Sequence, residues 1–237
     1  MEYYIGYIAC GIAILVFFFI SLFVQAKVNS NYNKYKEVPS SLDCTGAELV
    51  ERLSSHTGVA VNVYSCHGKL SDHYNPKNKS INISEENFHS KSIASHAIVA
   101  HEFGHALQHA KNYGAYNVRQ AVVKVSNFVS GMLFPIIIVG LILELIFFFT
   151  AGRILIYVMC GVYGISVIAG LVTLPVEFNA STRAKKLLIE LGSDSDSEKK
   201  ATKEMLNSAA LTYVASLFVT LAYFLRFLFI ILGSRRD

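Results

Sequence analysis

The sequence predicts a mainly α integral membrane protein, in which four transmembrane helices carry an α+β domain on one membrane face. Three observations lead there. Of the 237 residues, 53% are hydrophobic and the mean hydropathy is +0.41, too apolar for an ordinary soluble domain. The apolar residues gather into four blocks instead of spreading along the chain. Between the blocks lie two polar segments with the capping, alternation and turn signals of folded structure.

The blocks are residues 4–24, 128–149, 154–176 and 209–231. The first and third carry no charge, the second only Glu144 and the fourth only Arg226. Each is long enough to cross a ~30 Å hydrocarbon core as a helix, which takes ~20 residues. Block one resembles a secretory leader in its apolarity, but Glu2 precedes it with no Lys or Arg, and it is longer than a usual leader core. It is expected to be an uncleaved anchor. A few residues around Gly152 separate blocks two and three, which predicts an antiparallel hairpin. Glu144 and Arg226 each sit five residues before the end of their block. At equal depth they are expected to pair, because an isolated charge there is costly.

The first polar segment, 25–127, is domain-sized. Thr45-Gly-Ala-Glu48 reads as a capping box opening a helix to about Ser55. Val59 to Ser65 is β-rich, Lys69 to Lys79 reads as a strand feeding an Asn75-Pro76 turn, and Ile81 and Ile83 alternate with polar residues. A small antiparallel sheet is expected, followed by a helix from about Ser92 to Lys111. In the second segment, 177–208, Pro175 is expected to open a helix that Gly192 stops, and 193–198 is a loop capping the next helix.

The helix from Ser92 carries His101-Glu102-Phe103-Gly104-His105. Residues four apart on a helix lie ~40° apart and ~6 Å along the axis, so both histidines point one way and can share a zinc ion at ~2.0–2.1 Å. Glu102 then reaches a water on that ion, where a carboxylate can take its proton. This H-E-x-x-H spacing marks zinc metalloproteases. A catalytic zinc usually takes a third protein ligand and keeps one position open. Glu177, at the water-facing end of block three, is the best candidate. His101 follows the first crossing and Glu177 the third, so an even number of crossings leaves both on one face. A carboxylate merely placed at a helix start is the plainer reading of Glu177. His109 competes as a ligand, but three successive i, i+4 side chains on one straight helix cannot easily surround a metal tetrahedrally. His109 and His96 are therefore read as outer or packing residues, while Asp72 or another acid is left to orient a ligand histidine. His73 and Tyr74, on the strand before the active helix, are candidates for donating to a developing oxyanion.

Leu70-Ser-Asp-His-Tyr-Asn-Pro76, Val99-Ala-His-Glu-Phe-Gly-His-Ala-Leu-Gln-His109 and Leu174-Pro-Val-Glu-Phe-Asn-Ala-Ser-Thr-Arg-Ala184 together resemble the signatures of the YugP-like neutral zinc metallopeptidases of bacterial membranes. The resemblance covers nearly the whole chain. It implies a zincin-like metallopeptidase domain of gluzincin type, with one catalytic zinc whose third ligand is a glutamate on a later helix, the role that falls on Glu177. There is a broader likeness to the HtpX and CAAX-type membrane proteases. In those, the glutamate is followed by Ala at the third and Asp at the fourth position. Ala180 keeps the first, but Ser181 replaces the Asp that orients a zinc histidine.

The expected function is a membrane-embedded zinc endopeptidase acting on membrane or misfolded proteins near the membrane surface. The motif helix is too polar for a lipid-exposed span, carrying His89, Lys91, Ser92, Ser95, Gln108 and Lys111 in and around it. A zinc-binding scaffold or chaperone-like membrane protein without peptidase activity is the alternative; retention of Glu102 argues against it. A transporter ranks last, since two intramembrane charges are few for a conduction path. The net charge of +4 is spread thinly and forms no basic, aromatic-interleaved patch, so nucleic acid is not an expected partner. The expected partners are a protein substrate and the lipid bilayer. Cys44 and Cys66 could pair, while Cys10 and Cys160 lie in apolar blocks. The two polar segments hold 17 of the 21 Lys and Arg residues, which by the positive-inside bias places them on the cytoplasmic face of a bacterial plasma membrane.

Overall fold

Capping chemistry starts the first short helix where the sequence directs. Thr45 accepts from the Glu48 amide, the Glu48 carboxylate accepts from the Thr45 amide, and α2 runs Gly46–Thr57 until Gly58 ends it at φ +72°. The structure, a computed structural model, describes residues 2–147 and 151–233. In chain order these form α1 (Glu2–Tyr35), α2, β1 (Asn62–Cys66), β2 (His73–Asn75), β3 (Ser80–Ser84), α3 (Glu85–His89), α4 (Ile93–Ala110), α5 (Gly114–Phe147), α6 (Ala151–Glu190) and α7 (Asp196–Gly233). They divide into two compact units. One comprises Met1–Phe23, Val118–Leu174 and Tyr213–Asp237, the other Val24–Asn117 and Pro175–Thr212.

The first unit is built from the apolar stretches of α1, α5, α6 and α7. Among the described residues, four helices are long and apolar enough to cross a membrane. Small residues admit large ones: a Cβ on Gly170 would come within 2.8 Å of Leu217, and one on Gly6 within 2.8 Å of the Phe229 ring. Phe17 stacks on Phe218 and Tyr163 on Tyr223 at 5.1 and 5.0 Å between centroids. Arg226 donates to the Tyr7 hydroxyl at 2.6 Å and lies over its ring. The side chain of Glu144, its expected partner, lies outside the described residues, as does the turn before Gly152.

These helices outrun the apolar blocks, at 34 to 40 residues each, so at ~1.5 Å per residue they are far longer than a ~30 Å hydrocarbon core. Block three and the helix expected to start at Pro175 are one continuous helix, α6. Pro175 removes a single i→i−4 bond. The turns beside it are braced by the Thr173 hydroxyl donating to Ala169 and by Gln108 donating to Val176.

The second unit has one core. Tyr32 and Tyr35 from the end of α1, Leu49, Val50 and Leu53 of α2, Ile81 and Ile83 of β3, Ala97, Val99 and Phe103 of α4, Leu187 and Leu188 of α6 and Met205 of α7 are all buried in it. Two α1 tyrosines are also fixed by their hydroxyls, Tyr32 on Asn87 and Tyr35 on Glu204. The sheet has the order β1-β3-β2 and is mixed, not purely antiparallel: β1 pairs parallel with β3, and β2 antiparallel with it. The most deeply buried strand, β3, takes the centre, which leaves β2 as an edge beside α4. Cys44 and Cys66 do not pair. Cys44 is buried next to His96, and Cys66 meets the Ser71 hydroxyl.

Candidate metal centre

Ser92 caps α4 by accepting from the Ser95 amide, which sets the phase of the helix. His101 and His105 then project from one stripe toward α6. The two helices can meet there because residue 104 is glycine: a Cβ on Gly104 would fall 2.7 Å from the Ala180 carbonyl oxygen and 3.1 Å from its Cα. Gly104→Ala should therefore push the helices apart, destabilise the protein by about 1–3 kcal/mol and weaken metal binding. Thermal unfolding and zinc titration would show it, and a wild-type response in both would mean the contact yields freely.

This close approach delivers Glu177. Its Oε2 lies 3.1 Å from His101 Nε2 and 3.6 Å from His105 Nε2, and one ligand atom from each residue lies within 4.8 Å of the others. Tetrahedral zinc with bonds of ~2.0–2.1 Å separates its ligand atoms by about 3.3 Å, so the three donors fit the ion. Glu177 is 1% exposed. Burial alone would raise its carboxyl, but hydrogen bonds from His101 and His105, and their charge, hold it well below the usual carboxylate range.

The outward ring nitrogens support the same fit. His101 Nδ1 lies 3.2 Å from the Ser181 hydroxyl, and His105 Nδ1 lies 3.0 Å from Gln108 Oε1. Gln108 Nε2 donates to the Val176 carbonyl at 2.8 Å and to Asn179 Oδ1 at 3.0 Å. With its nitrogen so committed, Gln108 presents its oxygen to His105, which places the proton on Nδ1 and leaves Nε2 to a metal. Ser181 thus stands in the orienting place that an aspartate holds in the broader likeness. Asp72 does not serve here; it accepts from Ser84 and Asn87. Gln108 was not singled out from the sequence, although its position three residues after His105 on a helix puts the two side by side. Gln108→Leu should weaken zinc binding about 10–100-fold, read by competition with a chelator; unchanged affinity would deny it any hold on His105.

Glu102 lies beside this set and is partly buried. Its Oε2 accepts from the Tyr74 amide at 2.9 Å. Burial raises its carboxyl to about 7; the His101 charge works against this and the Glu177 charge adds to it. The Tyr74 ring reaches along α4, and its hydroxyl lies 2.9 Å from His109 Nδ1. Burial pushes that phenol up to about 12, so it stays protonated. His109 therefore belongs with Tyr74, apart from the three-residue donor set. His73 is exposed and donates from Nδ1 to the Ser71 carbonyl at 2.8 Å. His96 is buried at 1% exposure and donates to the Cys44 carbonyl.

Two histidines one turn apart, a glutamate from a second helix and another glutamate at their side define a class: helical proteins with an H-E-x-x-H metal centre. Within that class the match is specific. Residues 10–232 match the model of a family described as "putative neutral zinc metallopeptidase", and the chain belongs to that family. It is also 38% identical over 219 residues to a Bacillus subtilis (strain 168) protein described as "putative membrane protease YugP", an alignment covering 92% of this chain and 94% of that one. No solved structure matches the chain.

Proposed function

We propose that the protein is a membrane-embedded, zinc-dependent endopeptidase of gluzincin type that cuts membrane or misfolded proteins near the membrane surface. The observation that carries this reading is Glu102, a carboxylate held at one oxygen by the Tyr74 amide and adjacent in sequence to a ligand histidine. A purely structural zinc site is closed by four ligands and needs no base. Here three donors, His101, His105 and Glu177, are supplemented by a group suited to proton transfer.

His101, His105 and Glu177 would hold one zinc ion, whose Lewis acidity when bound makes water nucleophilic near neutral pH and polarises a carbonyl. Glu102 takes the proton of the attacking water on Oε1, its other oxygen being engaged, and passes it to the leaving amine. Tyr74, kept protonated, and His73 are the candidate donors for the developing oxyanion. β2 is an edge strand whose Tyr74 amide meets Glu102, and an extended substrate adding to a sheet edge is a common recognition mode. Purified protein in detergent should hydrolyse casein, lose the activity to a chelator and regain it with zinc. Zinc binding without hydrolysis would favour the scaffold reading.

The four apolar helices and the relative's description support a place in the bacterial plasma membrane. The Lys and Arg bias supports a cytoplasmic catalytic side. A cysteine at exposed Asn78, in a variant lacking the native cysteines, should resist an impermeant maleimide in intact cells and react after permeabilisation. Reaction in intact cells would reverse the sidedness.

A further inference from the structure

Polar side chains gather in one place within the apolar helices. A cleft of about 300 Å³ lies among α5, α6 and α7, lined by Ser126, Asn127, Ser166, Thr173, Ser216 and Thr220, with Arg119 and Tyr213 also on its wall. Ser166 stands ten residues inside the apolar stretch that ends at Val176, and Thr220 eleven residues inside the one that opens at Ala209. At ~1.5 Å per residue, the cleft reaches the middle of a ~30 Å hydrocarbon core.

The hydroxyls of Ser166, Thr173 and Thr220 donate to carbonyls of their own helices, Val162, Ala169 and Ser216. Their oxygens remain able to accept. Asn127 and Ser216, which also line the cleft, are exposed. In lipid such groups call for a hydrogen-bonding occupant. An acyl chain offers none. An intact helix has its backbone bonds already made and needs no such donors. An extended peptide carries unpaired amide and carbonyl groups.

We propose that this cleft seats an unwound stretch of a substrate's transmembrane segment, replacing the backbone hydrogen bonds lost when that segment leaves the helical state inside the bilayer. The inference rests on the peptidase reading and picks out, among its substrates, membrane-spanning chains with a weak helix as those that use the cleft. Cleavage needs an extended backbone, and unwinding in lipid is prohibitive unless protein supplies partners.

The test uses the full-length protein in vesicles of phosphatidylethanolamine and phosphatidylglycerol. A photo-crosslinking benzophenone amino acid replaces Ser216 in a Glu102→Gln background. The probes are two tagged single-span reporters, one with a central Gly-Pro pair in its span and one with leucine throughout. At least fivefold more crosslinking to the Gly-Pro reporter is expected. Equal yields, or adducts to lipid alone, would overturn the proposal. In protein with Glu102 intact, Asn127→Leu combined with Ser216→Leu should lower the ratio of Gly-Pro reporter cleavage to casein cleavage at least tenfold; an unchanged ratio also overturns it. Crosslinking needs no catalysis, so a peptidase reading that fails leaves the seating result readable by itself.

Discussion

Glu102→Gln should retain zinc and lose peptide hydrolysis by about 10²–10⁴-fold, the usual contribution of a positioned general base. The amide keeps the shape of the side chain and an oxygen for the Tyr74 N–H, but it cannot take a proton from water. Metal content by mass spectrometry and turnover of casein together settle the matter: hydrolysis near the wild-type rate in a fully metallated preparation would remove Glu102 from the mechanism. A second readout follows from its environment. Burial raises Glu102 from 4.5 to about 7, so the metal-free fold favours the protonated acid. That contribution is complete below about pH 4.5 and is lost as pH rises through 7. The glutamine variant cannot ionise. In metal-free protein it should gain on wild type as pH rises, by about 3 kcal/mol near pH 8, and show no such gain below about pH 4.5.

Glu177→Ala should abolish stoichiometric zinc binding. The side chain is 1% exposed and faces both His101 and His105, so its removal takes the carboxylate from between the two imidazoles and leaves a void. The loss should exceed the about 10–100-fold typical of a missing outer partner. Glu177→Gln, which fills the space without the charge, separates the two causes: weak binding in both variants means the carboxylate matters. Full metal occupancy in Glu177→Ala would mean that Glu177 is no ligand, and His109 would then be the residue to test.

Much of the site was legible because its parts are local. The capping box at Thr45, the cap at Ser92 and the i, i+4 histidines each depend on neighbours within one turn, and each appears where the sequence puts it. The approach of Glu177 to His101, across 76 residues, agrees with the expectation drawn from an even number of predicted crossings between them. What escaped depends on non-local choices. The mixed sheet is one: the burial of Ile81 and Ile83 puts β3 at the centre, where β1 joins it in parallel. The continuity of α6 through Pro175 overrides a strong local signal: one backbone bond is lost there, while Thr173 and Gln108 engage the Ala169 and Val176 carbonyls on either side. Asp72, one of the acids considered for orienting a histidine, bonds Ser84 and Asn87 instead; Ser181, standing where the broader likeness has an aspartate, does meet His101, while Gln108 beside His105 is neutral and inconspicuous in sequence.

The amide of Gln108 ties two helices together at the centre. One end meets the His105 ring and the other donates to the carbonyl just before Glu177, while Gly104 lets the backbones touch. One substitution at Gln108 therefore disturbs two members of the donor set together, and its effect on zinc binding should not add simply to that of a change at either.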